Sequence, residues 1–354
     1  MYSRSDYLQR GKVLVQNRLS PRNRKISTLM IYATDLCDSR CQHCLIWAKR
    51  PVKYLSKDKI LGLMENRCIT RHTIVGLEGG EFLLHPESRD LMRWFHRNHP
   101  RFHVLSNCLK PDNLIEAVKE APPERLFISL DGTEETYREM RGKDGYKNVL
   151  KVIENLKSVV PISVMYCVSP WNTMDDLQHV AEVCKFHGTD LRVGVYSNIT
   201  LFDTKDPAYQ EPADLVPPAL LKEFSENYDY LLLYNEWRKG NLKLSCNSIL
   251  DSCVIFPNGD VPICMNLDVT LGNIFENTLD EIYAKAETVK TLQHHHDQCN
   301  ACFINFHRKY DIILYRTFEQ YFPKGVVSKM FGYHQWCEDA RLKHGDALRR
   351  LGAG

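Results

Sequence analysis

Residues 28–44 read TLMIYATDLCDSRCQHC. The first seven are an apolar, partly β-branched run of strand length. The next ten carry Cys37, Cys41 and Cys44 at C-x3-C-x2-C spacing. A strand that runs straight into such a loop places three thiols at its C-terminal end, where parallel α/β sheets hold their ligands. Three thiolates can cap three irons of a cubane cluster and leave the fourth open to an outside ligand. The other reading is zinc, which needs a fourth ligand; His43 is the candidate.

Working outward, the pattern repeats to about residue 198. Short apolar runs at 28–34, 73–79, 101–107, 125–131, 161–168 and 191–197 predict buried strands. Amphipathic stretches around 55–66, 86–98, 112–120, 145–159 and 175–187 predict the helices between them. Strand–helix alternation implies a parallel sheet, open or curled. The segment 199–218 has four prolines and no periodicity, which fits a linker or an excursion over the sheet's mouth, followed by a helix over 219–238.

The chain's 354 residues suit one large domain and a smaller appendage. A net charge of +2 gives no electrostatic case for nucleic acid or membrane. The N-terminal 25 residues lack the apolar core of a signal peptide, and no run has membrane-spanning length. A cytoplasmic protein is therefore expected, and with it free thiols. Thirteen cysteines then favour metal over disulfides.

A second constellation follows residue 240. Cys246 precedes SCVIFPNGDVPIC, read as two short strands about Asn258-Gly259; Cys264 ends it, and Cys299 and Cys302 form C-x2-C. Cysteines flanking a hairpin can gather four thiolates at one point; a zinc knuckle is the alternative. Cys253, inside the first hairpin strand, is the rival ligand to Cys246, with a structural role as its plainer reading.

The first motif resembles that of the radical S-adenosylmethionine (SAM) superfamily, and further stretches agree with it in order. The family's Gly-Gly-Glu matches Gly79-Gly80-Glu81, implying a site for the SAM ammonium. Ser106 and Asn107 stand at the end of the third strand, where relatives often carry Thr-Asn-Gly. Ser129 and Asp131 end the fourth, and Arg141 follows at the spacing at which relatives contact the ribose and carboxylate of SAM. Tyr196 falls where relatives cover the adenine. His43 replaces an aromatic that packs near it. Pro257-Asn258-Gly259-Asp260-Val261-Pro262-Ile263-Cys264 and Leu271-Gly272-Asn273-Ile274 resemble the SPASM and shorter twitch extensions.

The resemblance implies an α/β fold: a partial (β/α)6 barrel with a small C-terminal α+β twitch/SPASM-like domain. The expected divisions are an extension (1–27), the barrel core (28–200), a linker and helix (201–240), an auxiliary-cluster domain (241–310) and a helical tail (311–354). The implied cofactors are a SAM-binding [4Fe–4S] cluster on Cys37, Cys41 and Cys44, an auxiliary [4Fe–4S] cluster on Cys246, Cys264, Cys299 and Cys302, and SAM itself. The implied chemistry is reductive cleavage of SAM to a 5′-deoxyadenosyl radical that abstracts hydrogen, fed by an external flavodoxin- or ferredoxin-type donor.

One auxiliary cluster, as in a twitch domain, suggests oxidation of a small polar substrate such as an alcohol or sugar. Peptide crosslinking, epimerisation or oxidation is the second enzyme reading, and a non-catalytic metal-binding protein the third. No catalytic residue is assigned. Cys108 and Cys167 near strand ends read as buried thiols before hydrogen donors, and His294-His295-His296 as a solvated helix end. Residues 303–310 either touch substrate or pack the tail. Glu78 and Arg192 are substrate-contact candidates, with a structural charge pair of the barrel strands as the plainer reading.

Overall fold

The structure, a computed structural model, describes residues 4–197 and 215–334. Most of the proline-rich stretch, Cys337 and the last residues of the tail lie outside the described residues. The six predicted strands are β1 (Thr28–Thr34), β2 (Ile74–Gly79), β3 (Phe102–Ser106), β4 (Arg125–Ser129), β5 (Ile162–Val168) and β6 (Asp190–Val195). They pair in sequence order, every neighbour parallel.

A seventh strand, β7 (Ser252–Ile255), adds in parallel to the free side of β1, giving the order β6-β5-β4-β3-β2-β1-β7. This corrects the expected hairpin. The Asn258-Gly259 turn is present, with Gly259 at φ +85°, but the strand before it belongs to the main sheet. The strand after it, β8 (Asp260–Pro262), pairs instead with β9 (Thr270–Asn273). Cys253 and Ile255 are apolar enough to face a helical layer while Val254 faces the interior, so this run suits a strand buried on both sides. β6 and β7 are the sheet's two edges, so the barrel is partial.

Helices α1 (Arg4–Leu19), α2 (Lys57–Leu63), α3 (Ser88–Asn98), α4 (Pro111–Glu120), α5 (Glu134–Arg141), α6 (Tyr146–Leu156) and α7 (Met174–His187) accompany the core. Local chemistry sets their ends. Thr173 and Asp176 form a capping box on α7, Thr133 caps α5, and Gly142 and Gly188 close α5 and α7 in the left-handed conformation. Beyond the core come α8 (Ser225–Arg238), α9 (Ser248–Asp251), α10 (Leu279–Ala284), α11 (Ala286–Gln298), α12 (Asn305–Tyr321) and α13 (Lys324–Phe331). Residues 278–293 contain no glycine or proline, yet the helix breaks at Lys285, whose ψ of 132° ends α10 and starts α11. In the last turn of α11, His296 is buried and bonded to Arg18, Asn247 and Asp297, so the expectation of a solvated histidine run fails there. No helix is long and apolar enough to cross a membrane, among the described residues.

Strand register divides the side chains. Leu29, Ile31 and Ala33 of β1 are fully buried against the helices, while Met30 and Tyr32 face inward. α1 is anchored to α9: Arg10 forks onto the buried Asp251 carboxylate at 2.6 and 3.0 Å, and Asn17 reaches Leu250 O.

The loop after β1 is held on two sides by backbone. Gly80 N donates to Thr34 O and Glu81 N to Leu36 O; across the loop, Arg40 N donates to Arg141 O and Gln42 N to Met140 O. A Cβ on Gly80 would stand 2.4 Å from Leu36 O, and one on Gly142 2.9 Å from Arg40 O. The glycines thus answer first to this close approach. Gly80→Ala should destabilise the cluster-free chain well beyond the ~1 kcal/mol centre of ordinary point mutants. Gly188→Ala, with nothing within 4 Å of the added Cβ, should cost only the left-handed penalty of about 1–2 kcal/mol. Urea denaturation of both variants checks this; equal losses would contradict it.

Candidate active site

A cavity of about 460 Å³ runs along the inside of the sheet, from Thr28, Ile74 and Arg125 at strand starts to Asn107, Asp131 and Tyr196 at strand ends. Cys37, Cys41 and Cys44 line it, and so do all ten residues expected to hold SAM: His43, Gly79, Gly80, Glu81, Ser106, Asn107, Ser129, Asp131, Arg141 and Tyr196. Residues scattered over 160 positions converge because every one follows or ends a parallel strand.

The polar contacts around the loop are specific. Arg141 is buried and forks onto Asp131 Oδ2 at 2.5 and 2.6 Å, with Nη1 3.9 Å from Cys41 Sγ. Asp131 raises its pKa against the opposing pull of burial, so the charge persists beside that sulfur. Asp131 also accepts from Cys167 N, which fixes β4 to β5 at this level. Glu81 accepts from Ser106 Oγ at 3.1 Å and Asn107 N at 2.8 Å, while Asn107 Nδ2 donates to Asp38 and lies 3.9 Å from Cys37 Sγ. Burial pushes the Glu81 carboxyl up to about 7. Tyr196 is nearly buried and meets Trp171 edge-on.

Cys108 occupies the position of the family's Gly in Thr-Asn-Gly and adopts φ +61°, a conformation that favours glycine. It is buried, as the sequence reading of a structural thiol expects. Cys167 does line the cavity.

The donor set fits an iron–sulfur cluster. Burial pushes the Cys37 and Cys44 thiols up to about 12, so thiolates there need positive charge from a bound metal. His43 has a buried Nδ1 with no hydrogen-bond partner among the described residues. Its charged neighbours are Asp131 and Arg141, and burial lowers it to about 4, leaving a neutral imidazole. Among the described residues, no three His, Cys, Asp or Glu side chains close on one metal-ion position. Thiolates around a cubane each cap a different iron and stand farther apart than that.

The second group converges also. Cys264 is within electrostatic reach of Cys299 and Cys302, and Cys246 of Cys302. Arg308, fully buried in the first turn of α12, organises them: it donates to Cys302 O, Leu244 O and Asn300 Oδ1, and pairs with Asp311 at 3.2 Å. Sequence reasoning left this arginine undecided between substrate contact and packing, because nothing local marks a guanidinium that serves three carbonyls. In the same stretch Ile304, Asn305, Phe306 and Lys309 line the cavity. Cys253 lies elsewhere: it pairs in register with Leu29 and neighbours Cys68, Tyr283 and Arg24 on the helix-facing side.

An apolar layer joins the two groups. Met265 follows Cys264, and it packs with Met30, Tyr32, Ile46 and Val254, flanked by Cys44, Ile304 and Phe306.

The comparisons agree with this geometry. Residues 31–184 match the radical SAM superfamily and residues 246–303 an iron–sulfur cluster-binding (SPASM) domain. The chain belongs to the radical SAM superfamily and carries a SPASM auxiliary-cluster domain after its core. Its cofactors are the SAM-binding [4Fe–4S] cluster, an auxiliary [4Fe–4S] cluster and SAM.

It is 23% identical over 269 residues to the sporulation killing factor maturation protein SkfB of Bacillus subtilis, covering 73% of this chain and 64% of that protein. It therefore spans under two thirds of that relative. A GTP 3′,8-cyclase of Aliarcobacter butzleri is 25% identical over 254 residues, covering 64% of this chain and 77% of that protein. Among solved structures, Streptococcus suis SuiB bound to precursor peptide SuiA superposes with a TM-score of 0.60 at 16% identity, covering 81% of this chain and 71% of that one.

Replacing Cys264 by Ala should remove the auxiliary cluster's iron, about four per chain. Replacing Cys253 by Ala should leave the total unchanged. Iron and sulfide analysis of anaerobically reconstituted variants checks both, and iron loss in the Cys253 variant would return that residue to the ligand set.

Proposed function

We propose that this chain is a radical SAM enzyme that modifies a peptide, by crosslinking, epimerisation or oxidation. The observation that carries the reading is the likeness of fold over most of the chain to SuiB, solved with a precursor peptide, together with the match to the sporulation killing factor maturation protein SkfB over 73% of this chain. Oxidation of a small alcohol or sugar, the first expectation from one auxiliary cluster, draws no support from these relatives.

In this reading Cys37, Cys41 and Cys44 hold the SAM-binding cluster, and Cys246, Cys264, Cys299 and Cys302 hold the auxiliary one. The bound cluster and SAM supply a 5′-deoxyadenosyl radical that abstracts hydrogen. The protein's share is orientation and exclusion of water. Gly79 and Gly80 bring backbone to the cavity wall, and Glu81, Ser106 and Asn107 form one hydrogen-bonded corner for the amino acid end of SAM. Ser129 and the Asp131–Arg141 pair would serve the ribose and carboxylate of SAM, and His43 and Tyr196 its adenine; all five line the cavity. The apolar layer about Met265 keeps water from the path between the two cysteine groups and suits electron passage to or from the auxiliary cluster. The electron for SAM cleavage comes from an external flavodoxin- or ferredoxin-type donor.

Similarity to a GTP 3′,8-cyclase favours a nucleotide as the second reading. Anaerobic reconstituted protein with SAM and dithionite discriminates them. Incubated with short precursor peptides encoded beside its gene, it should form 5′-deoxyadenosine and change one peptide's mass or residue stereochemistry. Conversion of GTP with all peptides unaltered would overturn the peptide reading.

A further inference from the structure

Glu78 is an inward residue of β2, paired across the sheet with Tyr32 and two positions before Gly80. Its carboxylate lies over Gly76, where a Cβ would stand 3.1 Å from Glu78 Oε1. It lines the cavity and makes no hydrogen bond or ion pair with another described residue, and burial alone raises its pKa to about 7. Tyr32, its register neighbour, turns its hydroxyl to Met265 Sδ at 3.3 Å. The cations of the opposite wall are engaged elsewhere: Arg192 binds Asp190 at 2.8 Å, and Lys309 faces the same carboxylate. Arg101, nearer the strand starts, pairs with Asp6 and Glu124.

An enclosed carboxyl without a partner is costly, and an opposite charge is the partner that recovers most of that cost. None of the described residues supplies one, and a cationic molecule bound in the cavity would. The surroundings also specify what carries the charge. Met30, Tyr32, Leu105 and Met265 present apolar surface to the same cavity, which suits a methylene stem with a charged tip.

We infer that Glu78 selects the substrate by receiving an ammonium or guanidinium at the end of an aliphatic stem, so that the modified peptide presents a lysine- or arginine-type side chain to the cavity. The inference rests on the peptide reading for the word peptide, and on Glu78 alone for the cation.

The test uses cluster-loaded, SAM-bound full chain in calorimetric titrations with blocked pentapeptides Gly-Gly-X-Gly-Gly. Peptides with X as lysine or arginine should bind roughly tenfold tighter than those with norleucine or glutamine. Glu78→Gln should erase the preference while thermal melting and SAM binding stay at wild-type values. n-Butylammonium and n-butanol are titrated in parallel. Should all peptides fail while butylammonium alone binds, and only with Glu78 intact, the cation site stands and the peptide reading falls. Peptides that bind without regard to X, or a lysine preference that survives Glu78→Gln, would overturn the inference and leave the peptide reading intact. No binding by any cationic probe overturns it as well.

Discussion

Between the Gly79–Gly80 backbone and the end of α5 there is room for one crossing of main chain, and the loop bearing Cys37, Cys41 and Cys44 fills it. Four backbone hydrogen bonds, two on each side, fix its path. Neither flank tolerates a side chain at the crossing, since an added Cβ would meet carbonyl oxygens at 2.4 to 2.9 Å. The rest of the site is arranged from this constraint. It sets the three thiols at the head of the cavity, brings Arg141 beside Cys41, and leaves Asn107 beside Cys37.

The second cysteine group depends on a different device. Its four residues come from a loop, a strand end and a helix C-terminus, and Arg308 ties the Cys246 segment to the Cys299–Cys302 segment through Leu244 O, Asn300 Oδ1 and Cys302 O. A fully buried guanidinium with an adjacent carboxylate keeps its charge, and the bonds it makes to carbonyls replace those lost to water. β7 and the Met265 layer then tie this group to the first strand, so the two cysteine sites share one framework.

Much of this was legible in the sequence because it is local. Strand limits, capping threonines, left-handed glycines and cysteine spacings are all read within a few residues of where they act, and the family resemblance at the strand ends implied which side chains would line the cavity. What was not legible is pairing at long range. SCVI reads equally well as a hairpin strand or as a parallel strand beside β1, and only the burial of both its faces distinguishes them. The break at Lys285 carries no glycine or proline to announce it. His296 looked like a solvated repeat until α1 packed over it with Arg18. Arg308 gave no signal, since its partners lie up to 64 residues away.

The central claim is that Cys37, Cys41 and Cys44 hold a cluster with one iron open to SAM, separate from a second cluster held entirely by protein. Low-temperature electron paramagnetic resonance of the reduced protein, with and without SAM, tests it most directly when run beside the Cys37/Cys41/Cys44→Ala triple variant. The account predicts two overlapping cluster signals in the parent, one of them reshaped by SAM, and in the variant a single signal indifferent to SAM. A SAM-sensitive signal that persists in the triple variant, or zinc in place of iron at those cysteines, would contradict it.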